Sequence, residues 1–306
     1  MSFNQELVQK IIKLKKEKNA VILAHCYQNI EIDEVADYVG DSLYLSQMAA
    51  KTDADIIVFA GVYFMAETAK ILSPNKKVLL PSLKAGCLMA DMINLEQIRE
   101  FKAKHPNIPV VCYVNSTAEV KSEADVCCTS SNAVNVVKTL NVKDVLFVPD
   151  TYLGNFVKSK LNGEVNIIAY PGYCPTHLRI TPKDVLEMKA KYPDAKVLAH
   201  PECHSEVVKL ADFVGSTTAI MNQAKKSNEK TFIIATELGV VERLKRDVPD
   251  KEFILVSKKA ICPNMKCHHL EDIYNALLYE QHEINVPNEL IKSALKPIQK
   301  MIAINS

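Results

Sequence analysis

The sequence has no long apolar run. Its longest apolar stretch, residues 56–66, is far shorter than the roughly 20 residues that a membrane-spanning helix needs. The N-terminal residues contain no apolar core of the kind found in secretion signals. We therefore expect a cytoplasmic protein that does not associate with membranes.

The sequence also has no excess of charge of either sign. The 37 Lys and Arg residues are balanced by 36 Asp and Glu, so the net charge is +1. No long block of like charge marks a tail, and the densest basic stretch, residues 10–18, fits the solvated face of a first helix. The charge pattern therefore predicts no nucleic-acid partner.

Cysteine pairs with the C-x-x-C spacing are missing too. None of the nine cysteines forms a C-x-x-C pair, the spacing that is common in structural zinc sites. The C-x-x-C-x-x-C run of electron-transfer ferredoxins is absent as well. In a chain expected to be cytosolic, the cysteines are more often buried, metal-bound or reactive than paired in disulfides.

What the sequence does contain is a long internal repeat. Cys87, Cys174 and Cys262 are 87 and 88 residues apart, and each follows a strand-like apolar run. Cys174 lies in a tight turn, Pro-Gly-Tyr-Cys-Pro, at residues 171–175. The constant spacing predicts three copies of one unit, each presenting a thiol on the same loop.

Two further sets of residues keep the same period. His25, Tyr113 and His200 are 88 and 87 residues apart, and Ser42, Ser130 and Ser216 are 88 and 86 apart. The period is too long for a solenoid repeat of roughly 20–50 residues. It suits a small domain in which strands alternate with helices around a parallel sheet.

We therefore predict an α/β protein of three similar αβα three-layer domains with parallel sheets around a pseudo-threefold axis. The proposed boundaries are 1–105 with an N-terminal helix, 106–193, and 194–306 with C-terminal helices. In the first unit we predict strands at 20–24, 56–60 and 78–80, and a helix over 33–39 that Gly40 ends in a left-handed conformation. Because ligands bind at the carboxyl ends of strands in open α/β sheets, the three units can share one central site.

Spacing alone leaves the chemistry of the three thiols open. Three thiolates are an incomplete set for structural zinc, which normally takes four ligands. A [4Fe–4S] cluster held by three cysteines would leave one iron free as a Lewis acid. The alternative is that all three are buried cysteines without a ligand.

An ordered set of motifs along nearly the whole chain resembles the quinolinate synthase (NadA) family. The motifs are H-C-Y-Q at 25–28, G-D-S at 40–42, F-M-A-E-T-A-K-I-L-S-P at 64–74, A-G-C-L-M-A-D-M at 85–92, Y-V-N-S-T-A-E-V-K at 113–121, P-G-Y-C-P-T-H at 171–177, H-P-E-C at 200–203, G-S-T at 215–217 and C-P-N-M-K at 262–266. G-S-T alone carries no information, whereas the ordered set is specific.

The resemblance implies an enzyme of NAD biosynthesis. This family condenses iminoaspartate (iminosuccinate) with dihydroxyacetone phosphate and releases phosphate and water to give quinolinate. The resemblance also implies three αβα domains around a central [4Fe–4S] cluster that acts as a Lewis acid. An aspartate-oxidising enzyme is the expected source of the unstable iminoaspartate.

The resemblance assigns residues by their match to the motifs. The cluster ligands are Cys87, Cys174 and Cys262. The substrate-binding positions are His25, Ser42, Tyr113, Val114, Asn115, Ser130, His200, Pro201, Glu202, Ser216 and Thr217. The catalytic candidates are Glu202, Tyr27, Tyr113 and His200, with Glu202 as the principal base. Few of these residues are cationic although both substrates are anions, so we expect His25 and His200 to help if protonated.

Other interpretations remain beside these. Cys267 competes with Cys262 for the third ligand position, and the repeat favours Cys262. Cys267, His268 and His269 could form a metal tract, although a solvated helix start fits them better. An iron–sulfur redox or metal sensor without turnover, and a cluster-free phosphosugar-binding protein, are the alternative functions.

Overall fold

The computed structural model describes residues 4–304 and contains three four-stranded parallel sheets. The strands of the first sheet are β1 Ala20–His25, β2 Tyr38–Gly40, β3 Ile56–Ala60 and β4 Lys77–Leu79. Those of the second are β5 Val110–Tyr113, β6 Val126–Cys128, β7 Asp144–Val148 and β8 Asn166–Ala169. Those of the third are β9 Lys196–Ala199, β10 Phe213–Val214, β11 Thr231–Ala235 and β12 Glu252–Leu255.

Helices connect and flank the strands. They are α1 Gln5–Glu17, α2 Ser42–Lys51, α3 Tyr63–Leu72, α4 Leu95–Lys104, α5 Ala118–Ser122, α6 Ala133–Leu140, α7 Thr151–Lys160, α8 Pro175–Leu178, α9 Pro182–Lys191, α10 Ser205–Leu210, α11 Thr217–Lys226, α12 Leu238–Asp247, α13 Leu270–Tyr279 and α14 Asn288–Ala303. Short 3-10 turns span Ile30–Glu34, Ala90–Met92 and Met265–Cys267. Among the helices of residues 4–304, none is long and apolar enough to cross a membrane.

All three sheets have the same strand order, in which the second strand of each unit lies at one edge beside the first. Both faces of the sheets are buried, as the alternation along β1 shows. Val21 and Leu23 belong to one apolar cluster, whereas Ile22 and Ala24 belong to another on the opposite face. Near-continuous apolar strands are what a parallel sheet covered on both faces requires. The predicted fold class, three similar αβα units, is confirmed.

One aspartate in each unit repeats the same contact with the first strand. Asp37, Asp125 and Asp212 each accept a 2.8 Å hydrogen bond through Oδ2 from a strand N–H, that of Ile22, Val110 and Val197 respectively. The backbone N–H of each aspartate donates back to the carbonyl of the same strand residue. This reciprocal pair starts the pairing of the edge strand and is equivalent in all three units.

The apolar pattern of the sequence did not predict these edge strands. The helix predicted over 33–39 is wrong, because the chain forms a short 3-10 turn at 30–34 and then the strand β2. Gly40 is the last residue of β2 and is not in the left-handed region, so it does not end a helix. A Cβ at this position would overlap the ring of Tyr44, which explains why a glycine fits here.

The C-terminal segment returns to the first two sheets. Helix α13 packs on α1 and β3, and α14 packs on α2, α3, α5 and β6. Between these helices, residues 282–284 pair antiparallel with the edge of β4. This pairing covers backbone groups that an open sheet edge would leave free. The proposed domain boundaries at residues 105 and 193 remain a prediction.

Candidate active site

The predicted site residues lie where the strand order of each sheet reverses. In each sheet the first and third strands are neighbours with connections leaving in opposite directions, and ligands of open α/β sheets bind beyond the carboxyl ends of such strands. His25 and Tyr113 end β1 and β5, and His200 directly follows β9. All three line one cavity of about 100 Å³ between the three sheets.

The two histidines are held in the same way. Nδ1 of His25 accepts a hydrogen bond from the backbone N–H of Tyr27 at 3.1 Å, and Nδ1 of His200 accepts one from that of Glu202 at 3.4 Å. The ring proton is therefore on Nε2 of each, and Nε2 of His200 lies 3.2 Å from Ser130 Oγ. Burial lowers the pKa of His25 to about 4 and that of His200 to about 3. Both rings are neutral at pH 7 and do not supply the positive charge expected of them.

Glu202 is the centre of the buried polar network. Its Oε1 accepts a 2.6 Å hydrogen bond from Tyr113 Oη and a longer one, 3.4 Å, from Asn115 Nδ2. Its Oε2 lies 2.7 Å from Nδ1 of His177 and 3.6 Å from Nδ1 of His200. Burial opposes ionisation of this carboxyl, but the contacts with the His177 ring and the Tyr113 hydroxyl hold its pKa well below its usual range. Glu202 is therefore a carboxylate at neutral pH.

The network continues to Tyr27 through Thr236. Nε2 of His177 lies 2.9 Å from Thr236 Oγ1, which lies 2.8 Å from Tyr27 Oη. Thr217 Oγ1 donates to the same Tyr27 oxygen at 3.0 Å. Burial raises the pKa of both Tyr27 and Tyr113, and the charge of Glu202 raises it further, so both phenols keep their protons.

The three repeat cysteines line the same cavity. Each begins a short helical turn, and the backbone N–H three residues later points at the sulfur; the donors are Ala90 for Cys87, His177 for Cys174 and Met265 for Cys262. Burial raises the pKa of all three thiols. Thiolates therefore form here only together with a compensating cation, and the backbone donors are placed to stabilise sulfur that carries negative charge.

The spacing of the thiols discriminates between one metal ion and a larger group. Within residues 4–304, the one trio of ligand atoms from His, Cys, Asp or Glu that lie within 4.8 Å of one another is Cys174, His177 and Glu202. The sulfurs of Cys87, Cys174 and Cys262 line the same cavity but do not all lie within 4.8 Å of one another, although Cys87 and Cys262 are close enough to raise the pKa of Cys174. This arrangement fits a group larger than a single ion.

Most of the other predicted site residues also line the cavity: Ser42, Asn115, Ser130 and Thr217. Ser216 does not, since its hydroxyl caps α11 by accepting from the N–H of Ala219 and lies in an adjoining groove. Val114 and Pro201 are buried beside the cavity without lining it. Their assignment as substrate-binding residues remains a prediction.

The alternative cysteine lies outside the cavity. The thiol of Cys267 donates to the carbonyl of Pro263 at 3.3 Å. His268 is fully buried, with Nε2 2.7 Å from the carbonyl of Gly61, and His269 caps α13 and contacts Glu31. The solvated helix start expected at 268 is thus wrong for His268, because the side chain joins the C-terminal segment to the loop after β3. Within the described chain these three residues form no metal-binding group.

Several residues of the site were missed from the sequence. His177 ends the P-G-Y-C-P-T-H motif but was assigned neither a binding nor a catalytic role. Its contacts with Glu202 and Thr236 depend on tertiary packing. Arg179 supplies a cationic side chain to the cavity lining. Glu237 is fully buried and accepts from the N–H groups of Gly239 and Cys262 at 2.6 and 3.2 Å. The one feature of the sequence that could have indicated Glu237 is its position just after the strand β11, in the unit that carries Cys262.

Comparisons with known proteins point to one family. The family model of the quinolinate synthetase A protein matches residues 9–303. A quinolinate synthase of Alkaliphilus metalliredigens is 55% identical over 298 residues, which cover 97% of this chain and 98% of that protein. Those of Dehalococcoides mccartyi strain CBDB1 and of a Sulfurihydrogenibium species are 51% and 46% identical, and each alignment covers at least 98% of both chains.

Proposed function

This chain belongs to the quinolinate synthetase A family, and on that premise we propose that it condenses iminoaspartate with dihydroxyacetone phosphate to quinolinate, releasing phosphate and two waters. The relatives' shared name, quinolinate synthase, identifies an enzyme of NAD biosynthesis. One observation supports the proposal most strongly. An ionised carboxylate, two tyrosine hydroxyls and three cysteines, which come from all three units, surround one cavity.

Binding of the anionic substrates falls to the helix N-termini and to Arg179. Ser42 is the first residue of α2, and Thr217 is the first residue of α11. N-terminal backbone N–H groups and hydroxyls at such positions favour phosphate and carboxylate groups. Because the buried histidines are neutral, Arg179 is the cavity-lining side chain that we assign to charge neutralisation.

Proton transfer falls to Glu202 and the two tyrosines. Glu202 is ionised at neutral pH and can accept a proton from a carbon or nitrogen atom of the substrate. Tyr113 donates to Glu202 Oε1 and thereby stabilises the carboxylate that acts as the base. Tyr27, fixed by Thr217 and Thr236, presents a second hydroxyl to the cavity. His200 orients Ser130 and stacks on His177, with ring centroids 4.7 Å apart.

The cysteines fit an iron–sulfur cluster. Cys87, Cys174 and Cys262 would hold a [4Fe–4S] cluster, since their thiols face one cavity, each with a backbone donor, and are too widely spaced for one ion. When bound through three cysteines, such a cluster supplies an iron with an open position that acts as a Lewis acid toward a hydroxyl or carbonyl oxygen.

The cellular setting is part of the same proposal. Iminoaspartate is an unstable imine, so the reaction that supplies it must be the oxidation of aspartate by another enzyme. We place both enzymes in the cytoplasm. A sensor without turnover would not require the buried carboxylate–tyrosine network at the centre of the cavity.

The test is turnover by anaerobically purified protein. We expect quinolinate from the two substrates and the broad visible absorbance of a [4Fe–4S] cluster. Cys87→Ala, Cys174→Ala and Cys262→Ala should each lose both, whereas Cys267→Ala, outside the cavity, should keep both. Full cluster content and activity in the three repeat-cysteine variants would contradict the proposal.

A further inference from the structure

Three different metal-binding groups converge beside the cavity. Nδ1 of His177 lies 3.2 Å from Cys174 Sγ and 2.7 Å from Glu202 Oε2. All three ligand atoms lie within 4.8 Å of one another, and the side chains of His177 and Glu202 are only 2% and 4% exposed. A thiol, an imidazole and a carboxylate are the groups that zinc takes in proteins.

Two of these groups are oriented by a second hydrogen bond. Nε2 of His177 lies 2.9 Å from Thr236 Oγ1, which leaves Nδ1 directed at Cys174 and Glu202. The other oxygen of Glu202 accepts from Tyr113 at 2.6 Å. Such outer partners fix the ring orientation and strengthen a site for a metal ion. Nδ1 and the carboxylate oxygen are 2.7 Å apart, so either the Nδ1–H proton of the ring or a bound metal ion lies between them.

We propose that Cys174, His177 and Glu202 form a mononuclear site for a divalent cation of the zinc class. Three protein ligands leave a fourth position open, as in zinc sites of catalytic type, and all three residues line the cavity. The site uses one of the three repeat cysteines and does not involve Cys87 or Cys262. It is therefore different in ligands and in nuclearity from the cluster.

A zinc ion and the cluster exclude each other, because both need the sulfur of Cys174. This exclusion rests on the proposed function. Zinc bound at the trio would block assembly of the cluster and would leave the enzyme inactive. The site thus predicts that the cluster-free protein is sensitive to zinc.

The direct test uses the full chain purified without iron and sulfide. Zn²⁺ affinity is measured by competition with a chromophoric chelator, and Co²⁺ serves as an optical probe. We expect one equivalent of metal and a sulfur-to-cobalt charge-transfer band that Cys174→Ala abolishes. His177→Ala and Glu202→Gln should weaken zinc binding by roughly 100-fold, and Thr236→Val by about 10-fold. Thermal melts of each variant show whether it is folded.

Matched cysteine variants separate this site from its rivals. Cys87→Ala and Cys262→Ala should bind zinc like the wild type although they cannot hold a cluster. Loss of zinc in either variant would indicate a three-thiol site and would overturn the proposal. Loss in Cys267→Ala, or the absence of stoichiometric binding to the wild type, would overturn it as well.

Reconstitution separates this inference from the proposed function. Zinc added first should block uptake of iron and sulfide by the wild type. If the protein never takes up a cluster but binds zinc as described, the proposed cofactor is wrong and the zinc site stands. If a cluster forms regardless of zinc, the zinc site is wrong and the cofactor stands.

Discussion

Tyr113 Oη lies 2.6 Å from Glu202 Oε1, and this hydrogen bond joins the end of the second sheet's first strand to the loop after the equivalent strand of the third. It is one of the contacts that keep the Glu202 carboxylate ionised in a buried setting. Because the two residues come from different units, the carboxylate is correctly placed only when the units are docked. The reactive centre is therefore a product of the assembly of the repeats.

The first prediction concerns the substitution Tyr113→Phe, which removes this hydroxyl. A hydrogen bond to a charged group contributes roughly 1.5–3 kcal/mol, so Tyr113→Phe should lower kcat/KM for quinolinate formation by about 10- to 100-fold. Steady-state assays of the cluster-loaded protein measure the effect. Tyr152→Phe is the matched control, since Tyr152 lies outside the cavity lining. Equal activity of the two variants would contradict a role for the Tyr113–Glu202 bond.

The sequence could predict those parts of the structure that repeat. His25, Tyr113 and His200 are in phase, so their common position at strand ends and their convergence on one cavity could be inferred from the sequence. The strand β10, by contrast, has only two residues, Phe213–Val214. No periodicity exists in so short a segment, and only its pairing with β9 makes it a strand.

The contacts between units could not be predicted from spacing. His177 and Thr236 are 59 residues apart and meet at 2.9 Å only because α8 packs beside the end of β11. The equivalent positions in the other units carry different residues, Ala90 and Met265 for His177 and Gly61 and Pro149 for Thr236, so the repeat offered no signal. The protonation state of His25 and His200 was left open for a related reason, since their neutral state follows from burial between the units.

The second prediction concerns the stability of the folded protein at acidic pH. In the unfolded chain a histidine binds a proton near pH 6.5, whereas folded His25 and His200 do so only near pH 4 and pH 3. The unfolded state therefore binds more protons below pH 6.5, and stability falls as the pH is lowered from about 6.5 toward 3. Each buried ring should cost a few kcal/mol across this window.

Denaturant unfolding of the cluster-free protein between pH 7.5 and 4 measures this dependence. His200→Asn should lose less stability on acidification than the wild type, because the substituted residue does not titrate. His105→Asn, at the partly exposed end of α4, is the control and should behave like the wild type. A His200→Asn variant with an unchanged pH dependence would show that the ring titrates normally in the fold.

The third prediction tests the support of the Cys262 loop. Glu237 is fully buried and accepts the backbone N–H groups of Gly239 and Cys262 through its two oxygens. In Glu237→Gln the amide NH₂ replaces one acceptor, so one buried N–H loses its partner at a cost of about 1–3 kcal/mol. We expect a lower free energy of unfolding and less iron bound per chain after reconstitution.

Glu242→Gln is the matched control for this variant. Both carboxylates lie near Lys266, at 3.7 Å for Glu237 and 3.6 Å for Glu242, but Glu242 is partly exposed. The control therefore removes a similar charge without removing a buried acceptor, and its stability and iron content should stay near those of the wild type. Similar losses in both variants would mean that the charge, and not the support of the cysteine loop, is responsible.

The last prediction tests whether the units are equivalent in energy as well as in topology. Asp125 and Asp212 make the same 2.8 Å bond to a buried strand N–H, at Val110 and at Val197. Asp125→Ala and Asp212→Ala should each lower the free energy of unfolding by about 1–3 kcal/mol, because each leaves a buried donor without a partner. Asp37→Ala should cost somewhat more, since Asp37 also pairs with Lys15 at 2.8 Å. Urea denaturation measures all three, with exposed Asp194→Ala as the control. If Asp125→Ala and Asp212→Ala were as stable as that control, the repeated bond would be geometric only and would not hold the edge strands in place.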